Sequence, residues 1–313
     1  MSGKARYLIT GGAGFIGSSL AEALCRAGER VRVIDDFSTG HRKNLEGLDV
    51  ELFEGSIVDG ELVAKAMAGV EVVFHEAALP SVPRSIAKPL DSDTANVHGT
   101  LTVLEAARHA GVRRVLYAGS SSAYGDTPTL PKCEDMPSRP LSPYAVAKHT
   151  GELYLSVYAR LHKMETMSFR YFNVFGPRQD PNGAYAAVIP RWIVAALEGE
   201  TITINGDGGQ TRDFCFIDNV VQGNLLAANC AGPLSGEVCN ISCAENISLL
   251  QLADAIEELV GKKVERVHAP SRAGDVRDSL ADITRIRALI GYEPVVRWRE
   301  GLERTVAHHR AKA

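Results

Sequence analysis

Short apolar segments alternate with amphipathic segments along the first half of the chain. Tyr7–Thr10 is apolar and ends at a glycine, which predicts a buried strand, and an amphipathic helix is expected after it, up to about residue 27. Residues 31–34 predict a second strand. Further strands are predicted at 50–53, 70–75, 112–118 and 165–171. Strands that alternate with helices in this way form a parallel sheet with helices on both faces.

The composition is that of an ordinary globular protein. Hydrophobic residues make up 45% and charged residues 23% of the 313, and the net charge of −4 predicts no nucleic-acid surface. The N-terminus lacks the apolar stretch and cleavage site of a signal peptide, and no run of about 18 apolar residues predicts a membrane span. We therefore expect a cytoplasmic location, with neither nucleic acid nor membrane as a partner.

The six cysteines and nine histidines follow no metal-binding pattern. No Cys-x-x-Cys pair occurs, and Cys239 and Cys243 are followed by no second pair or matching histidines. We therefore expect reduced thiols and no metal.

A glycine-rich turn follows the first predicted strand. Gly11, Gly14 and Gly17 stand at three-residue intervals between this strand and the amphipathic helix. Glycines at such a turn let the backbone approach a pyrophosphate closely, and the first N–H groups of the helix then bind the phosphate oxygens. The spacing is Gly-x-x-Gly-x-x-Gly rather than the Gly-x-Gly-x-x-Gly of many dehydrogenases.

Two acidic residues end the second predicted strand. Asp35 lies 18 residues after Gly17, where a carboxylate bonds the adenosine ribose hydroxyls and repels a 2′-phosphate. The sequence therefore predicts NAD rather than NADP as cofactor. Asp35 is the expected ligand, and Asp36 is a helper or a solvated neighbour.

The apolar pattern is less regular after residue 175, and residues 206–209, Gly-Asp-Gly-Gly, predict a turn. The expected fold class is α/β, with a Rossmann-type doubly wound parallel sheet that binds NAD in residues 1–175. Residues 176–313 are expected to form a smaller mixed α/β lobe for the substrate, with later segments returning to the sheet.

Tyr144 and Lys148 are four residues apart on a predicted helix, so that their side chains lie on one face. An ammonium beside a phenol lowers the pKa of the phenol from about 10 toward neutrality. Such a phenol takes a proton from an alcohol while a nearby cofactor takes the hydride. Alone, this spacing is typical of a surface pair, but after the nucleotide motif it predicts a catalytic pair.

Residues at the carboxyl ends of the predicted strands should border one crevice, because ligands of such sheets bind there, near the switch in strand order. These residues are 75–80, Ser120, Ser121, Ser122 and 172–173.

Several motifs together resemble the extended short-chain dehydrogenase/reductase family, and within it the UDP-hexose 4-epimerases. They are the glycine turn, Phe74-His75-Glu76-Ala77-Ala78, Asn96-Val97-His98-Gly99-Thr100, Ser120-Ser121-Ser122-Ala123-Tyr124-Gly125, Tyr144-x-x-x-Lys148 and Arg170-Tyr171-Phe172-Asn173-Val174-Phe175-Gly176-Pro177. Residues 78–85, 179–185 and 212–215 look most like the bacterial branch that acts on UDP-N-acetylhexosamines.

The resemblance implies that Tyr144, Lys148 and a serine are catalytic. Ser120 holds the position of the family's catalytic serine, with Ser121 and Ser122 toward the sugar. Which of the three hydroxyls bonds the 4-oxygen is open, and at least one is expected to cap the turn. Related dehydratases have an Asp-Glu pair in place of Ser121 and Ser122, so that dehydration is not expected here.

For the cofactor, the resemblance implies contacts from the glycine turn and from several strand ends. This set is Gly11, Gly14, Phe15, Ile16, Gly17, Asp35, Asp36, Ser38, Thr39, Gly40, Ser56, Ile57, Ala77, Ala78, Leu79, Asn96, Tyr144, Lys148 and Tyr171. Ser56 stands where the family usually has an aspartate that contacts adenine. We therefore expect a weaker adenine contact there.

For the substrate, the resemblance implies that Arg212 and Arg272 grip the diphosphate together with Asn173, that Asp275 bonds a ribose, and that the backbone at 187–188 holds uracil. Arginine suits this role because its planar fork bonds phosphate oxygens bidentately. The full set is Pro80, Ser81, Arg84, Ser122, Asn173, Ala187, Val188, Arg212, Arg272, Asp275 and Ser279.

The implied activity is 4-epimerisation of UDP-hexoses with retained NAD. Ser279 falls where the family has a gate beside the sugar's C2 substituent, and a small residue there favours UDP-GlcNAc/UDP-GalNAc together with UDP-Glc/UDP-Gal. The nearest alternative is a UDP-glucuronate 4-epimerase, for which Arg84 is a candidate cation. A simple dehydrogenase and a non-catalytic NAD-binding scaffold are further alternatives. The family also implies a homodimer through helices near 97–110 and 144–161.

Overall fold

The computed structural model describes residues 6–182, 186–271 and 276–312. The strands are, in chain order, β1 (Tyr7–Thr10), β2 (Val31–Asp35), β3 (Val50–Glu54), β4 (Val72–His75), β5 (Arg114–Ser120), β6 (Glu165–Tyr171), β7 (Val174–Phe175), β8 (Ile202–Asn205), β9 (Thr211–Asp213), β10 (Cys215–Phe216), β11 (Ser235–Ile241), β12 (Asn246–Ser248) and β13 (Arg266–Ala269). The α-helices are α1 (Phe15–Arg26), α2 (Gly60–Met67), α3 (Val82–Ala87), α4 (Pro89–Asp93), α5 (Gly99–Ala110), α6 (Pro143–His162), α7 (Val188–Glu198), α8 (Ile217–Asn229), α9 (Leu249–Val260), α10 (Thr284–Ile290) and α11 (Trp298–Arg310).

A seven-stranded sheet forms the centre of the molecule, with the strand order β11-β6-β5-β4-β1-β2-β3. All its neighbouring strands are parallel. The chain builds the sheet outward from β1 to β3 on one side and from β4 to β6 on the other, so that the strand order switches between β1 and β4. This topology confirms the predicted Rossmann-type α/β fold.

The strands predicted in the first half are present. β1 and β6 have the predicted bounds, and the others differ from the prediction by at most two residues at an end. β5 begins later than expected because the N–H of Val112 donates to the carbonyl of Ala107. This bond keeps Val112 in the turn that ends α5.

Helices cover both faces of the sheet, and each face has its own apolar core. Because side chains alternate along a strand, Leu8 and Ile9 on β1 point into different cores. Leu8 packs with residues of α2, α5 and α6, and Ile9 packs with residues of α1 and α8. The nucleotide motif and the Tyr144 helix are thereby fixed to opposite faces of one sheet.

The second half of the chain adds three two-stranded pairs, β7 with β10, β9 with β12, and β8 with β13. β11 returns to the central sheet beside β6. The division at residue 175 remains a prediction. Over the described ranges, no helix is long and apolar enough to cross a membrane, and no group of three or more His, Cys, Asp or Glu side chains is arranged to hold a metal ion.

Candidate active site

A cleft of about 1000 Å³ opens at the carboxyl ends of the central strands. It lies where the strand order switches, which is the usual ligand site of such sheets. Most of the predicted cofactor residues line it: Gly11, Gly14, Phe15, Ile16, Gly17, Asp35, Asp36, Ser38, Thr39, Ser56, Ile57, Ala77, Ala78, Leu79, Tyr144, Lys148 and Tyr171. The two predicted motifs, far apart in sequence, thus share one cavity.

The glycine turn is closely packed and has no room for side chains. A Cβ on Gly17 would lie 2.2 Å from the carbonyl oxygen of Gly11, and one on Gly11 would lie 2.7 Å from the backbone nitrogen of Ala77. Gly11 also has a φ of +69°, which favours glycine. α1 begins after Gly14 without a side-chain cap, so that its first N–H groups remain available to a phosphate. The turn therefore fits a dinucleotide.

Asp35 is fixed at the end of β2. One carboxylate oxygen accepts from the N–H of Ala13 at 2.8 Å, and the other accepts from the N–H of Phe37 at 2.8 Å. Burial raises the pKa of Asp35, and these two backbone bonds partly oppose the rise. Asp36 is exposed beside it and accepts from the N–H of Ser38. A rigid carboxylate at the cleft agrees with a ribose-binding role.

Two predicted cofactor residues stand behind the cleft and do not line it. Gly40 packs against Ala13, since a Cβ on Gly40 would lie 2.8 Å from the Ala13 carbonyl carbon. Asn96 is buried and binds the backbone of Leu79 twice: its Oδ1 accepts from the Leu79 N–H at 2.8 Å, and its Nδ2 donates to the Leu79 carbonyl at 3.1 Å. Asn96 therefore holds the loop that lines the cleft.

Tyr144 and Lys148 lie on α6, which begins with an N-cap at Ser142 and Pro143 in its first position. Lys148 is buried, and its Nζ donates to the carbonyl of Ala118 at 2.7 Å. Burial lowers the pKa of Lys148 to about 8, against the raising effect of two carboxylates, Glu76 and Glu152.

The pKa of Tyr144 differs from the sequence-based expectation. Burial raises it, and a hydrogen bond with Ser120 partly opposes the rise. The expected lowering toward neutrality was therefore wrong, because desolvation of the buried phenol outweighs the effect of the hydrogen bond.

The three serines follow one another at the end of β5. Ser120 is the last residue of the strand, and its Oγ caps the short 3₁₀ turn Ser121–Tyr124 by accepting from the N–H of Ser122 at 3.2 Å. The Ser122 hydroxyl donates to the same oxygen at 2.8 Å. Ser120 thus both caps the turn and lines the cleft that contains Tyr144, and Ser122 is bonded to it.

The predicted substrate residues are divided between the cleft and its surroundings. The cleft is lined by Pro80, Ser81, Arg84 and Ala187. Val188, the next residue along the chain, is the first residue of α7. Asn173 donates from Nδ2 to the carbonyl of Asp213 at 3.1 Å and to Ser279 Oγ at 3.4 Å. Arg212 donates to the carbonyls of Thr211 and Arg277. Arg272 and Asp275 lie outside the described residues.

Glu76 is a cleft residue to which sequence analysis assigned no role. It directly follows β4 and lines the cleft, where its carboxylate accepts from the Tyr171 hydroxyl at 2.9 Å. Its place at a strand end was visible in the sequence. Its partner was not, because Tyr171 is 95 residues away along the chain.

The fold and the cleft together define an NAD-binding enzyme of the Rossmann type. The chain belongs to the NAD dependent epimerase/dehydratase family, whose model matches residues 7–242. Its cofactor is NAD, as predicted.

Relatives and solved structures cover nearly the whole chain. A UDP-glucose 4-epimerase of Mycolicibacterium smegmatis is 41% identical over 314 residues, which span 98% of this chain and 99% of the relative. The structure of a UDP-glucose 4-epimerase from Thermotoga maritima with UDP-glucose has a TM-score of 0.94 at 37% identity, with coverage of 98% and 99%. A UDP-N-acetylglucosamine 4-epimerase from Methanobrevibacter ruminantium, in complex with UDP-N-acetylmuramic acid, has a TM-score of 0.93 at 33% identity, with coverage of 99% of each chain.

Proposed function

We propose that the protein is a UDP-hexose 4-epimerase that interconverts UDP-GlcNAc and UDP-GalNAc and also accepts UDP-Glc and UDP-Gal. The observation that carries this proposal is that Ser120, Tyr144 and Lys148 line the same cleft as the glycine turn and Asp35. The relatives support the reaction, since three of them are 4-epimerases of UDP-sugars.

In this reaction, side chains of the protein remove and return the proton of the substrate. NAD, when bound, supplies a hydride acceptor that can return the hydride to the opposite face of C4. Tyr144 removes the proton of the 4-hydroxyl, directly or through Ser120, and later returns it. Lys148 as an ammonium opposes the effect of burial on the phenol, because a nearby positive charge stabilises the phenolate.

The serines beside Tyr144 favour epimerisation over water loss. Ser121 and Ser122 offer hydroxyl groups and no carboxyl group. Elimination needs an acid and a base placed at the sugar, and a serine hydroxyl is a poor source of either at neutral pH. The 4-keto sugar therefore keeps its substituents and turns within the cleft while the diphosphate remains held.

We assign the tight binding of the substrate to contacts between the protein and the nucleotide end of the UDP-sugar. Arg212 and Arg272 are the proposed diphosphate ligands, with Asn173 beside them. A firm grip on the non-reacting UDP group supplies binding energy and leaves the sugar free to rotate. This division of roles is needed for inversion, because both faces of C4 have to meet the same cofactor.

The preference for N-acetyl sugars depends on Ser279. Its side chain is small and 6% exposed, and its Oγ lies 3.4 Å from Asn173 Nδ2. A serine leaves room for a C2 acetamido group that a tyrosine would fill. This supports UDP-GlcNAc as a substrate alongside the plain hexoses.

The decisive experiment is to incubate the purified protein with UDP-GlcNAc, without added NAD, and to follow the anomeric proton signals. We expect UDP-GalNAc to appear with no net NADH. The variant Tyr144→Phe keeps the ring but removes the acid–base group, and it should bind UDP and fail to convert the sugar. Conversion of UDP-Glc alone would contradict the Ser279 argument and leave the mechanism intact.

A UDP-glucuronate 4-epimerase is the second candidate. The observation in its favour is that two basic residues, Arg84 and Lys88, line the cleft and could meet a carboxylate. The same assay distinguishes the two, since conversion of UDP-glucuronate but of neither neutral sugar would favour the uronate.

We also propose that the protein is a homodimer through α5 and α6. α6 exposes Val146, Leu153, Val157 and Leu161, with exposed fractions from 46% to 71%. These positions share one helix face, and an apolar stripe of this kind is typical of a helix–helix interface.

A further inference from the structure

A histidine that the proposed chemistry does not use lies at the end of β4, directly before the residues that line the cleft. The Nδ1 atom of His75 lies 2.7 Å from Oγ1 of Thr10 on β1, and its Nε2 atom lies 2.9 Å from Oγ1 of Thr100 on α5. All three side chains are at most 1% exposed. Buried polar groups need partners, so that the neighbours of His75 decide which of its ring nitrogens carries a proton.

The partners of the two threonines fix the position of every proton. The Thr100 hydroxyl donates to the carbonyl of Asn96 at 2.7 Å, and a carbonyl can only accept. Since a hydroxyl has one hydrogen, the Thr100 oxygen accepts from His75, whose Nε2 therefore carries a proton. At the other end, the Thr10 oxygen accepts from the N–H of Ala77 at 3.2 Å, and its own hydrogen is donated to a bare Nδ1. The hydrogen bonds thus assign the neutral Nε2–H form of His75.

This chain of hydrogen bonds begins and ends at the loop of residues 77–79. It begins at the N–H of Ala77 and reaches Asn96, whose side chain binds the N–H and the carbonyl of Leu79 at 2.8 and 3.1 Å. Both Ala77 and Leu79 line the cleft. Ala77 also packs against the glycine turn, since a Cβ on Gly11 would lie 2.7 Å from the Ala77 Cα. His75 therefore connects two sides of the same loop from behind the cofactor cleft.

We propose that His75 is a positioning residue for the cofactor: in its neutral form it joins Thr10 to Thr100 and so holds residues 77–79 in place against the NAD site. An apolar ring would fill the same space, but it would leave the Thr10 hydrogen without an acceptor. The backbone of Ala77 would then lose its fixed partner. This role concerns NAD and does not depend on which UDP-sugar the protein converts.

The surroundings of His75 oppose a proton on its second ring nitrogen. Burial and the charge of Lys148 on α6 lower the pKa of His75 to about 3. The Tyr117 ring on β5 lies beside the imidazole, with the ring centroids 5.5 Å apart. An imidazolium would also direct a hydrogen from Nδ1 at Thr10, whose hydroxyl would then lose the acceptor of its own hydrogen. The neutral form should therefore persist across the pH range in which an exposed histidine titrates.

The first test is Thr100→Val, which keeps the shape of the side chain and leaves the Nε2–H of His75 without an acceptor. We expect NAD binding to the cofactor-free protein, measured by calorimetry, to weaken about tenfold, the effect of one buried donor left unsatisfied. Thr100→Ser restores the hydroxyl, and its NAD affinity should lie within about twofold of that of the unaltered protein.

The matched control is Thr305→Val. Thr305 is fully buried on α11 and donates to the carbonyl of Gly301, four residues earlier, at 2.7 Å, just as Thr100 donates to Asn96. Both valine variants lose such a bond and should unfold at lower urea concentration, but only Thr100→Val should bind NAD less tightly. Unchanged NAD affinity in Thr100→Val, or an equal loss of affinity in Thr305→Val, would overturn the proposal.

Nuclear magnetic resonance of isotopically labelled imidazole nitrogens tests the assigned form of His75. The signals that are absent from His75→Gln identify this residue among the nine histidines. They should show a protonated Nε2 and a bare Nδ1 from about pH 9 to about pH 5, and a proton on Nδ1 within this range would overturn the proposal. Because neither measurement uses a sugar nucleotide, both expected results together with no turnover of any UDP-sugar would reject the proposed function and support the role of His75.

Discussion

The buried ion pair between α6 and β6 offers a sharp test of the packing. Glu152 on α6 and Arg170 on β6 are joined by two contacts, Nε to Oε1 at 3.0 Å and Nη2 to Oε2 at 2.8 Å. Their side chains are only 2% and 4% exposed. Arg170 also lies over the Tyr124 ring, 4.4 Å from its centroid. This pair therefore connects α6, the helix that carries Tyr144 and Lys148, to the sheet.

The variant Arg170→Met leaves the Glu152 carboxylate buried without its main partner. Breaking a buried pair from one side lowers the free energy of unfolding by about 3–5 kcal/mol. We expect the lower end, about 3 kcal/mol, because His149 still contacts Glu152 at 3.1 Å. Burial tends to raise the pKa of Glu152, but His149 and Arg170 together lower it below its usual value. The stability supplied by these partners is therefore present at neutral pH and is lost as the pH falls.

Urea unfolding followed by far-ultraviolet circular dichroism measures this loss. The control is Arg304→Met, which breaks two pairs, with Asp218 and Glu300, in which each side chain is 49% or 50% exposed. It should lower stability by less than about 1 kcal/mol. The double variant Glu152→Met/Arg170→Met should recover most of the loss, since two apolar side chains leave no unpaired charge. An Arg170→Met variant as stable as the Arg304→Met control would refute the reasoning.

Two further predictions concern the glycine turn and Ser279. Gly17→Ala should weaken NAD binding by more than about tenfold, equivalent to about 1.4 kcal/mol, because the new Cβ would overlap the carbonyl of Gly11 at 2.2 Å. Calorimetry measures the change in NAD affinity. The control Gly232→Ala, which has open space around its Cβ, should bind NAD normally. Ser279→Tyr should lose conversion of UDP-GlcNAc and keep that of UDP-Glc, whereas Ser279→Ala should keep both activities. Equal loss of the two activities in Ser279→Tyr would argue against a gate beside C2.

The sequence predicted the elements that carry strong local patterns. β1 and the glycine turn follow from an apolar run and the glycines after it, and β6 follows from the alternation of Met167, Phe169 and Tyr171 with polar residues. The shared helix face of Tyr144 and Lys148 follows from their four-residue spacing. β11 was not predicted as a strand. Its apolar pattern is interrupted by Asn240, which is buried because it accepts from the Tyr124 hydroxyl at 2.6 Å and donates to the carbonyls of two other segments.

Properties that depend on tertiary surroundings were beyond the sequence. The pKa of Tyr144 is set mainly by burial, and burial of a phenol on an amphipathic helix depends on what packs against it. The relation of Glu76 to Tyr171 and Asn224 joins three segments that the fold brings together. Local patterns therefore predicted residues of the cleft, and only the fold showed which groups surround their ionisable side chains.

The pairing of β11 with β6 has a consequence for synthesis on the ribosome. Some 70 residues separate the end of β6 at Tyr171 from the end of β11 at Ile241, and at about 5–20 residues per second they take roughly 4 to 14 s to translate. During that interval β6 has emerged and one of its edges has no neighbour. A strand with an open edge readily joins another chain, so that residues 165–171 are a segment that a chaperone would have to cover on the nascent protein.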